Sequence, residues 1–169
     1  MPLPSTETYP VFYQKYVALV DSENVKDTTT RYSDEIIKFW RNIPLEKEEY
    51  RYAPGKWTIK EVVQHVIDTE RIFAYRALCI ARKDNTSLPG FDENEYAANS
   101  KANARSWDDL LAELECTRQS TNLLLLSFDE EQLQQQGLAN GNGITVNAIA
   151  FIIFGHMLHH IRIVQERYL

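Results

Sequence analysis

The stretch from Thr145 to about Arg167 constrains the fold more than any other part of the chain. Its first half is apolar on every side of a helix, through the residues Val146, Ile149, Phe151, Ile152, Ile153 and Phe154. A helix that is apolar all round needs neighbours all round. Thr145 can cap its start. The pattern therefore predicts a central, buried helix, which is the last of four long helices.

A membrane span is the alternative interpretation of this segment. Residues Ile144 to Ile161 include Thr145, Asn147 and three histidines, and the stretch lies at the lower limit of about 18 apolar residues for a span. Because no second candidate span accompanies it, we favour a buried helix. The net charge of −6 also argues against an anionic membrane or a nucleic acid as partner, since both favour clustered Lys and Arg.

The other long helices are marked by their capping residues and their apolar spacing. They are predicted at Val25 to Asn42, Thr58 to Arg82 and Ser106 to Phe128. Thr58 with Glu61 has the spacing of a capping box, and Ser106 with Asp109 gives a similar start. We predict an all-α four-helix bundle as a single domain over residues 1–169, in which residues 1–24 form an aromatic-rich lead-in.

Two connections between these helices carry the remaining predictions of structure. Residues Lys83 to Arg105 are polar and irregular, and this length predicts a long crossover between the second and third helices, because antiparallel neighbours need only about 2–8 residues. Asp129 to Gln136 is predicted to form a further short helix. Gly137 to Gly143 breaks the helical pattern, and we predict no strand there or elsewhere.

Targeting signals and disulfides are not expected. Met1 to Pro10 lacks a basic start followed by an apolar run, so no signal peptide is predicted. Cys79 and Cys116 lie far apart and form no CxxC motif, which favours reduced thiols over a disulfide framework. These features predict a cytoplasmic protein.

Three of the four histidines fall within five residues of the most apolar helix. A buried imidazole needs partners for its ring nitrogens, and the aliphatic neighbours offer none. His156 and His160 share one helix face because they are four residues apart, whereas His159 points elsewhere. A divalent metal ion bound by these two and by His65, from the second helix, resolves the difficulty. The spacing alone leaves open that the pair merely forms hydrogen bonds, and His159 is predicted to be structural or to support the ligands.

Several stretches together resemble the DinB/YfiT-like superfamily of metal-binding four-helix bundles. They are Tyr52-Ala-Pro-Gly-Lys-Trp57-Thr-Ile-Lys-Glu-Val-Val-Gln-His65, Asp68-Thr-Glu-Arg-Ile-Phe-Ala-Tyr-Arg76, Pro89-Gly-Phe-Asp-Glu93, Gly155 to His160 and Gln165-Glu-Arg-Tyr-Leu169. The resemblance implies an up-down-down-up bundle, often a homodimer, with metal ligands at His65, His156 and His160. Met157 and Leu158 depart from the family, where more polar residues are expected.

Three neutral histidine ligands leave coordination positions open, which is typical of a catalytic rather than a closed structural site. Met157 stands where a zincin motif has its glutamate, so that mechanism lacks its base. Zinc and nickel both suit imidazole ligands. The resemblance implies an enzyme acting on a small molecule, either a thiol S-transferase using a low-molecular-weight thiol or a hydrolase. The alternatives are a non-enzymatic metal-binding stress-response protein and a purely structural bundle.

Five further residues are candidates for the surroundings of the ion. Glu61 and Asp68 flank His65 at helical spacing and can orient it, or they are solvated surface charges. Trp57, Tyr75 and Arg76 can line a pocket, although aromatic residues at this spacing are more often core. Arg76 in an apolar seam needs an anion or a carboxylate as partner.

Overall fold

The fold is built on four long helices, in a computed structural model that describes residues 2–169. The long helices are α2 (Val25–Arg41), α3 (Ile59–Ala81), α5 (Trp107–Leu126) and α7 (Val146–Arg167). Three shorter ones are α1 (Gln14–Val17), α4 (Glu93–Asn99) and α6 (Glu130–Gln134). The predicted helical class and the positions of the four long helices are confirmed, as is the short helix after α5.

The predicted capping residues start the helices as expected. The hydroxyl of Thr58 accepts a hydrogen bond from the Glu61 amide (3.1 Å), and the Glu61 carboxylate accepts one from the Thr58 amide (2.7 Å). Ser106 and Thr145 cap α5 and α7 through their hydroxyl groups. These bonds satisfy amides that have no partner inside a helix, and so they fix where each helix begins.

Helix α7 lies at the centre of the bundle. It packs against α1, α2 and α3, and Ile149, Phe151 and Phe154 are fully buried. It is long and apolar enough to cross a membrane by length and composition, but 78% of its most apolar window is buried inside the protein. Burial among the other helices therefore accounts for its apolar character.

A β-hairpin precedes α7, and the prediction that no strand would form is wrong. Strands β1 (Gln136–Ala139) and β2 (Asn142–Thr145) pair antiparallel. The turn places Asn140 (φ 52°) and Gly141 (φ 72°) in the left-handed region, which is the pairing that tight hairpins favour. The strands are too short and too poor in alternating apolar residues to be predicted from the sequence. The Asn-Gly pair was nevertheless a usable signal of a hairpin turn.

The connection between α3 and α5 is more ordered than predicted. It contains α4, whose start is capped by the Asp92 carboxylate, and a short 3-10 turn at Ala102–Ala104. Leu88 joins the connection to the hairpin through two backbone hydrogen bonds, to Leu138 and from Asn140, each 2.9 Å long. The connection and the hairpin are therefore fixed to one another beside the bundle.

The N-terminal segment packs its backbone directly onto α7. Short 3-10 turns at Thr6–Thr8 and Val11–Tyr13 lead into α1. A Cβ atom on Gly155 would lie 2.1 Å from the backbone oxygen of Tyr16. Only glycine permits this approach, so Gly155 allows α1 to cross α7 beside the histidines.

A buried ion pair joins α3 to α5 inside the bundle. The Arg118 guanidinium lies 3.2 Å from a carboxylate oxygen of Glu70, and both side chains are 2% exposed. The guanidinium also lies over the ring of Phe154, 4.3 Å from its centroid. Each charge therefore depends on the other for its compensation within the core.

Replacing Glu70 by Ala is expected to lower the free energy of unfolding by about 3–5 kcal/mol, because it leaves Arg118 buried without a counter-charge. Urea unfolding followed by circular dichroism measures this change. Glu166→Ala is the matched control, since its pair with Arg162 is solvent-exposed (53% and 66%) and should contribute less than about 1 kcal/mol. Equal stabilities of the two variants would contradict the assigned role of the buried pair.

Candidate metal centre

Three histidines from two helices meet at one point on the inner face of the bundle. His65 comes from the middle of α3, and His156 and His160 come from successive turns of α7. The Nε2 atom of His156 lies 3.1 Å from Nε2 of His65 and 3.1 Å from Nε2 of His160. One nitrogen from each ring lies within 4.8 Å of the others. The structure thus brings together the trio that the helical spacing selected.

Hydrogen bonds among the three rings cannot satisfy all three ring nitrogens at once. An imidazole nitrogen carries either one N–H group or one lone pair in the ring plane. His156 Nε2 can therefore donate to only one of its two neighbours, or else two N–H groups crowd onto its single lone pair. A cation at the shared point accepts all three lone pairs at once, so the donor set fits a metal ion better than it fits a hydrogen-bonded cluster.

The spacing of the nitrogens is also compatible with a common ion. Bonds from zinc to imidazole nitrogen are about 2.0–2.1 Å long, which separates two ligands of a tetrahedral site by roughly 3.3 Å. The two contacts of 3.1 Å between ring nitrogens are close to this value. The third pair, His65 and His160, lies within 4.8 Å.

Burial keeps the three imidazoles neutral. It lowers the pKa of His65 from 6.5 to about 4. It also lowers the pKa values of His156 and His160 well below 6.5, and the neighbouring imidazoles lower both further. A neutral ring can present a lone pair, whereas a protonated one cannot. The cluster is therefore ready to bind a cation at neutral pH without first releasing protons.

The histidines form part of the wall of a cavity of about 420 Å³. This volume lies within the range of small-molecule sites. The rest of the wall is mainly aromatic, with a few polar side chains; besides the histidines it contains Phe12, Tyr13, Tyr16, Trp57, Thr69, Phe73, Arg76, Gly90, Phe91, Glu93, Asn140 and Ile152. A ligand in the cavity would contact the histidine cluster directly.

Aromatic rings support the histidines from two sides. The ring of Trp57 lies 4.8 Å from that of His65, measured between centroids. Tyr16 makes edge-to-face contacts with His156 (5.4 Å) and His159 (5.2 Å). These contacts restrict ring rotation, and they place the N-terminal segment over the cluster.

The two carboxylates predicted to orient His65 do not contact it, and the structure corrects that prediction. The Glu61 side chain turns back to cap α3 and accepts a hydrogen bond from Asn103 (2.9 Å). Asp68 accepts a hydrogen bond from Gln64 (2.9 Å) on its own helix. Both carboxylates have nearer partners than the imidazole, which explains why helical spacing alone was misleading.

Of the other predicted residues, Trp57, Arg76 and His159 line the cavity, but Tyr75 does not. Tyr75 is 59% exposed and borders a separate groove on the outer side of α3. Arg76, its neighbour in sequence, borders both that groove and the cavity. His159 is half-buried at the wall and lies outside the group of three.

Sequence reasoning missed the part of the wall that comes from outside the long helices. Tyr13 and Tyr16 belong to the N-terminal segment, and Glu93 begins α4. Thr69 and Phe73 also line the cavity, between His65 and Arg76 on α3. The aromatic richness of residues 9–20 was the available signal for the N-terminal wall.

The fold and the site together define a helical bundle with a three-histidine cluster in the wall of a cavity. The chain belongs to the DinB superfamily, whose profile matches residues 28–164. Its fold is similar to that of YfiT from Bacillus subtilis, described as a probable metal-dependent hydrolase with an unusual four-helix bundle topology. The TM-score is 0.72 at 16% sequence identity, over 98% of this chain and 91% of that one. A search of curated proteins found no match.

Replacing Gly155 by Ala is expected to displace the N-terminal segment, because the new methyl group would collide with the backbone of Tyr16. Strain of this kind costs about 1–3 kcal/mol. Thermal unfolding measures the cost, and faster proteolysis before residue 24 would show that the segment has moved. Gly143→Ala is the control, since its nearest neighbour is the mobile amide end of Gln136. An unchanged rate of cleavage in Gly155→Ala would contradict the predicted displacement.

The metal-free protein is expected to lose stability as the pH falls from 6.5 towards 4. The folded-state pKa of His65, about 4, lies below the ordinary value of 6.5, so the unfolded chain binds more protons in this range. The stabilisation is complete above pH 6.5, and the part due to His65 is on the order of 3 kcal/mol. Denaturant titrations at several pH values measure it. His65→Asn should show a shallower pH dependence, and parallel curves would contradict the assignment.

Proposed function

We propose that this chain is an enzyme that binds one divalent metal ion and acts on a small molecule held in the cavity. The observation that carries the proposal is the convergence of three neutral imidazoles on the wall of that cavity, where Nε2 of His156 lies 3.1 Å from Nε2 of each of the other two rings. A closed structural site commonly uses four protein ligands. Three ligands facing a cavity leave room for a substrate or a nucleophile.

When bound, a divalent ion supplies Lewis-acid chemistry, which lowers the pKa of a coordinated water or thiol so that a nucleophile is available near neutral pH. The residues of the chain then have separate tasks. His65, His156 and His160 hold the ion, and Trp57 restricts the ring of His65. The aromatic side chains of the wall offer apolar surface against which a small molecule can pack.

Proton transfer in this proposal falls to side chains of the wall. His159 lines the cavity, and its pKa is lowered by burial and by Lys15, so the ring is mostly neutral at pH 7 and can accept a proton. Glu93 is exposed at the wall and is the second candidate acceptor. Either fits a reaction in which water or a low-molecular-weight thiol attacks the substrate.

The identity of the nucleophile decides between the two proposed enzyme classes, hydrolase and S-transferase. If the nucleophile is water, the protein is a hydrolase, which is the class named in the description of YfiT. If the nucleophile is a thiol, the protein is an S-transferase. The metal is proposed to be zinc or nickel, because both bind imidazole well. The alternative is a non-enzymatic metal-binding protein of the stress response, in which the cavity would have no turnover.

We also propose the helix order up-down-down-up with a long crossover. Arg105 contacts Gln64 (2.6 Å), and Arg118 pairs with Glu70 (3.2 Å). Arg105, just before α5, thus lies near the start of α3, and Arg118, inside α5, lies near the middle of α3, which supports a parallel arrangement of the two helices. Parallel neighbours in sequence need a connection that returns along the bundle, and residues 82–106 are long enough to provide it.

Protein purified without an affinity tag is expected to contain one divalent ion per chain. His65→Ala, His156→Ala and His160→Ala should each lose most of it, because two remaining imidazoles bind far more weakly than three. Inductively coupled plasma mass spectrometry measures the content. His159→Ala is the matched control and should retain the ion. Equal metal content in the His65 and His159 variants would contradict the proposed centre.

Activity is tested by comparing metal-loaded with metal-stripped protein in two panels, one of thiol conjugation and one of ester and amide hydrolysis. We expect turnover in one panel that requires the ion and that falls at least about a hundredfold in His160→Ala. Tight metal binding without turnover in either panel would instead favour the non-enzymatic alternative.

A further inference from the structure

Arg76 is a buried charge that the metal centre does not explain. Its side chain lines the cavity with the histidines, yet the residue is only 3% exposed. One guanidinium nitrogen donates a hydrogen bond to the backbone oxygen of Pro89 (2.6 Å), and the group lies 5.0 Å from the centroid of Phe73. Within residues 2–169 no carboxylate forms an ion pair with it. An arginine buried in this way is costly unless an anion reaches it.

Nothing in the surrounding wall neutralises this charge. Tyr13 lies beside the guanidinium, but burial raises the pKa of its phenol above 10, so the phenol is uncharged at pH 7. Glu93 also lines the cavity, but it is solvent-exposed and does not pair with Arg76. A guanidinium stays protonated in proteins even where burial lowers its pKa, as it does here. The cavity therefore contains a fixed positive charge.

The position of Arg76 relates this charge to the histidine cluster. His65, Thr69, Phe73 and Arg76 recur at helical spacing along one face of α3, and all four line the same cavity. At a rise of 1.5 Å per residue, the Cα atoms of the first and last are separated by about 16 Å along the helix axis. A small molecule of several bonds can touch both ends of this face.

We propose that Arg76 binds a carboxylate of the substrate, whose reacting end lies at the three histidines. The inference rests on the proposed function for the position of the reacting end, but the anion site depends on Arg76 alone. The substrate class is then a small organic acid with its carboxylate several bonds from the reacting group.

A carboxylate fits better than a phosphate. The guanidinium already donates to the Pro89 oxygen and interacts with the Tyr13 phenol, so only some of its N–H groups are left, which suits the two oxygens of a carboxylate. A phosphate dianion needs more donors than this. The simplest competing explanation is a structural arginine that only holds the Pro89 backbone in place, and the experiment must separate the two.

Two pairs of probes, each an acid and its methyl ester, test the proposal. In cobalt-loaded protein, 6-mercaptohexanoate and methyl 6-mercaptohexanoate are titrated while thiolate-to-cobalt absorption is recorded. In metal-free protein, hexanoate and methyl hexanoate are titrated by calorimetry. Wild type should bind each acid at least about tenfold more tightly than its ester, as expected for a hydrogen-bonded charge pair.

Variants of Arg76 test whether this residue causes the preference for the acid over the ester. Arg76→Gln should abolish it, and Arg76→Lys should retain part of it, because lysine keeps the charge but not the planar fork. Arg82→Gln is the matched control at the end of α3, outside the cavity, and should keep the full preference. A structural arginine would instead lower the melting temperature of Arg76→Gln and leave the ratio of acid to ester unchanged, which would overturn the proposal.

The two arms keep this inference distinct from the proposed function. If no cobalt spectrum develops, the metal centre is wrong, and calorimetry on metal-free protein still decides whether Arg76 prefers the acid. If cobalt binds but wild type shows no preference in either arm, the anion site is wrong and the metal centre stands. The wild-type comparison needs no variant, so it decides the question even if Arg76→Gln does not fold.

Discussion

The ring nitrogens of the buried imidazoles need partners, and this need constrains how the helices that carry them are placed. His156 lies in the most apolar helix, where its ring nitrogen meets two others at 3.1 Å. Each ring alone would lose hydrogen-bond free energy on burial. Together they form a donor set that suits a cation, and the helices that carry them must stay in register for the three nitrogens to meet. Because α7 is covered on several sides, the ring positions are set by core packing rather than by mobile loops.

Close packing around α7 shapes the wall of the cavity and also stabilises the fold. Gly155 lets the N-terminal segment approach α7, and Tyr16 then covers two of the histidines. The hairpin and the crossover, fixed together through Leu88, supply other parts of the wall. The cavity is thus bounded by two long helices and by three further segments, which are the N-terminal segment, the crossover and the hairpin. The crossover and the hairpin supply none of the three clustered histidines, whereas the N-terminal segment also restricts the His156 ring through Tyr16.

Local rules predicted the fold well and the site only in part. Capping residues and apolar periodicity act over a few residues, so they located the long helices and the His156–His160 pair. The hairpin was not predicted because its strands are short. Glu61 was wrongly predicted to orient His65, because the backbone amide of Thr58 competes with the imidazole for its carboxylate. The wall contributed by Tyr16 depends on contacts between distant segments. Such contacts leave no periodic pattern in one sequence.

The balance of charge connects the two parts of the cavity. Three neutral imidazoles would leave a divalent ion with its full charge, and Arg76 adds another positive charge, against which the wall offers only the exposed carboxylate of Glu93. In a partly enclosed site of low dielectric, such an excess favours anionic ligands strongly. A carboxylate at Arg76 together with an anionic nucleophile at the ion would nearly neutralise the cavity. Under the proposed function, the partner of Arg76 arrives with the substrate, and this accounts for a buried arginine that has no carboxylate partner in the protein.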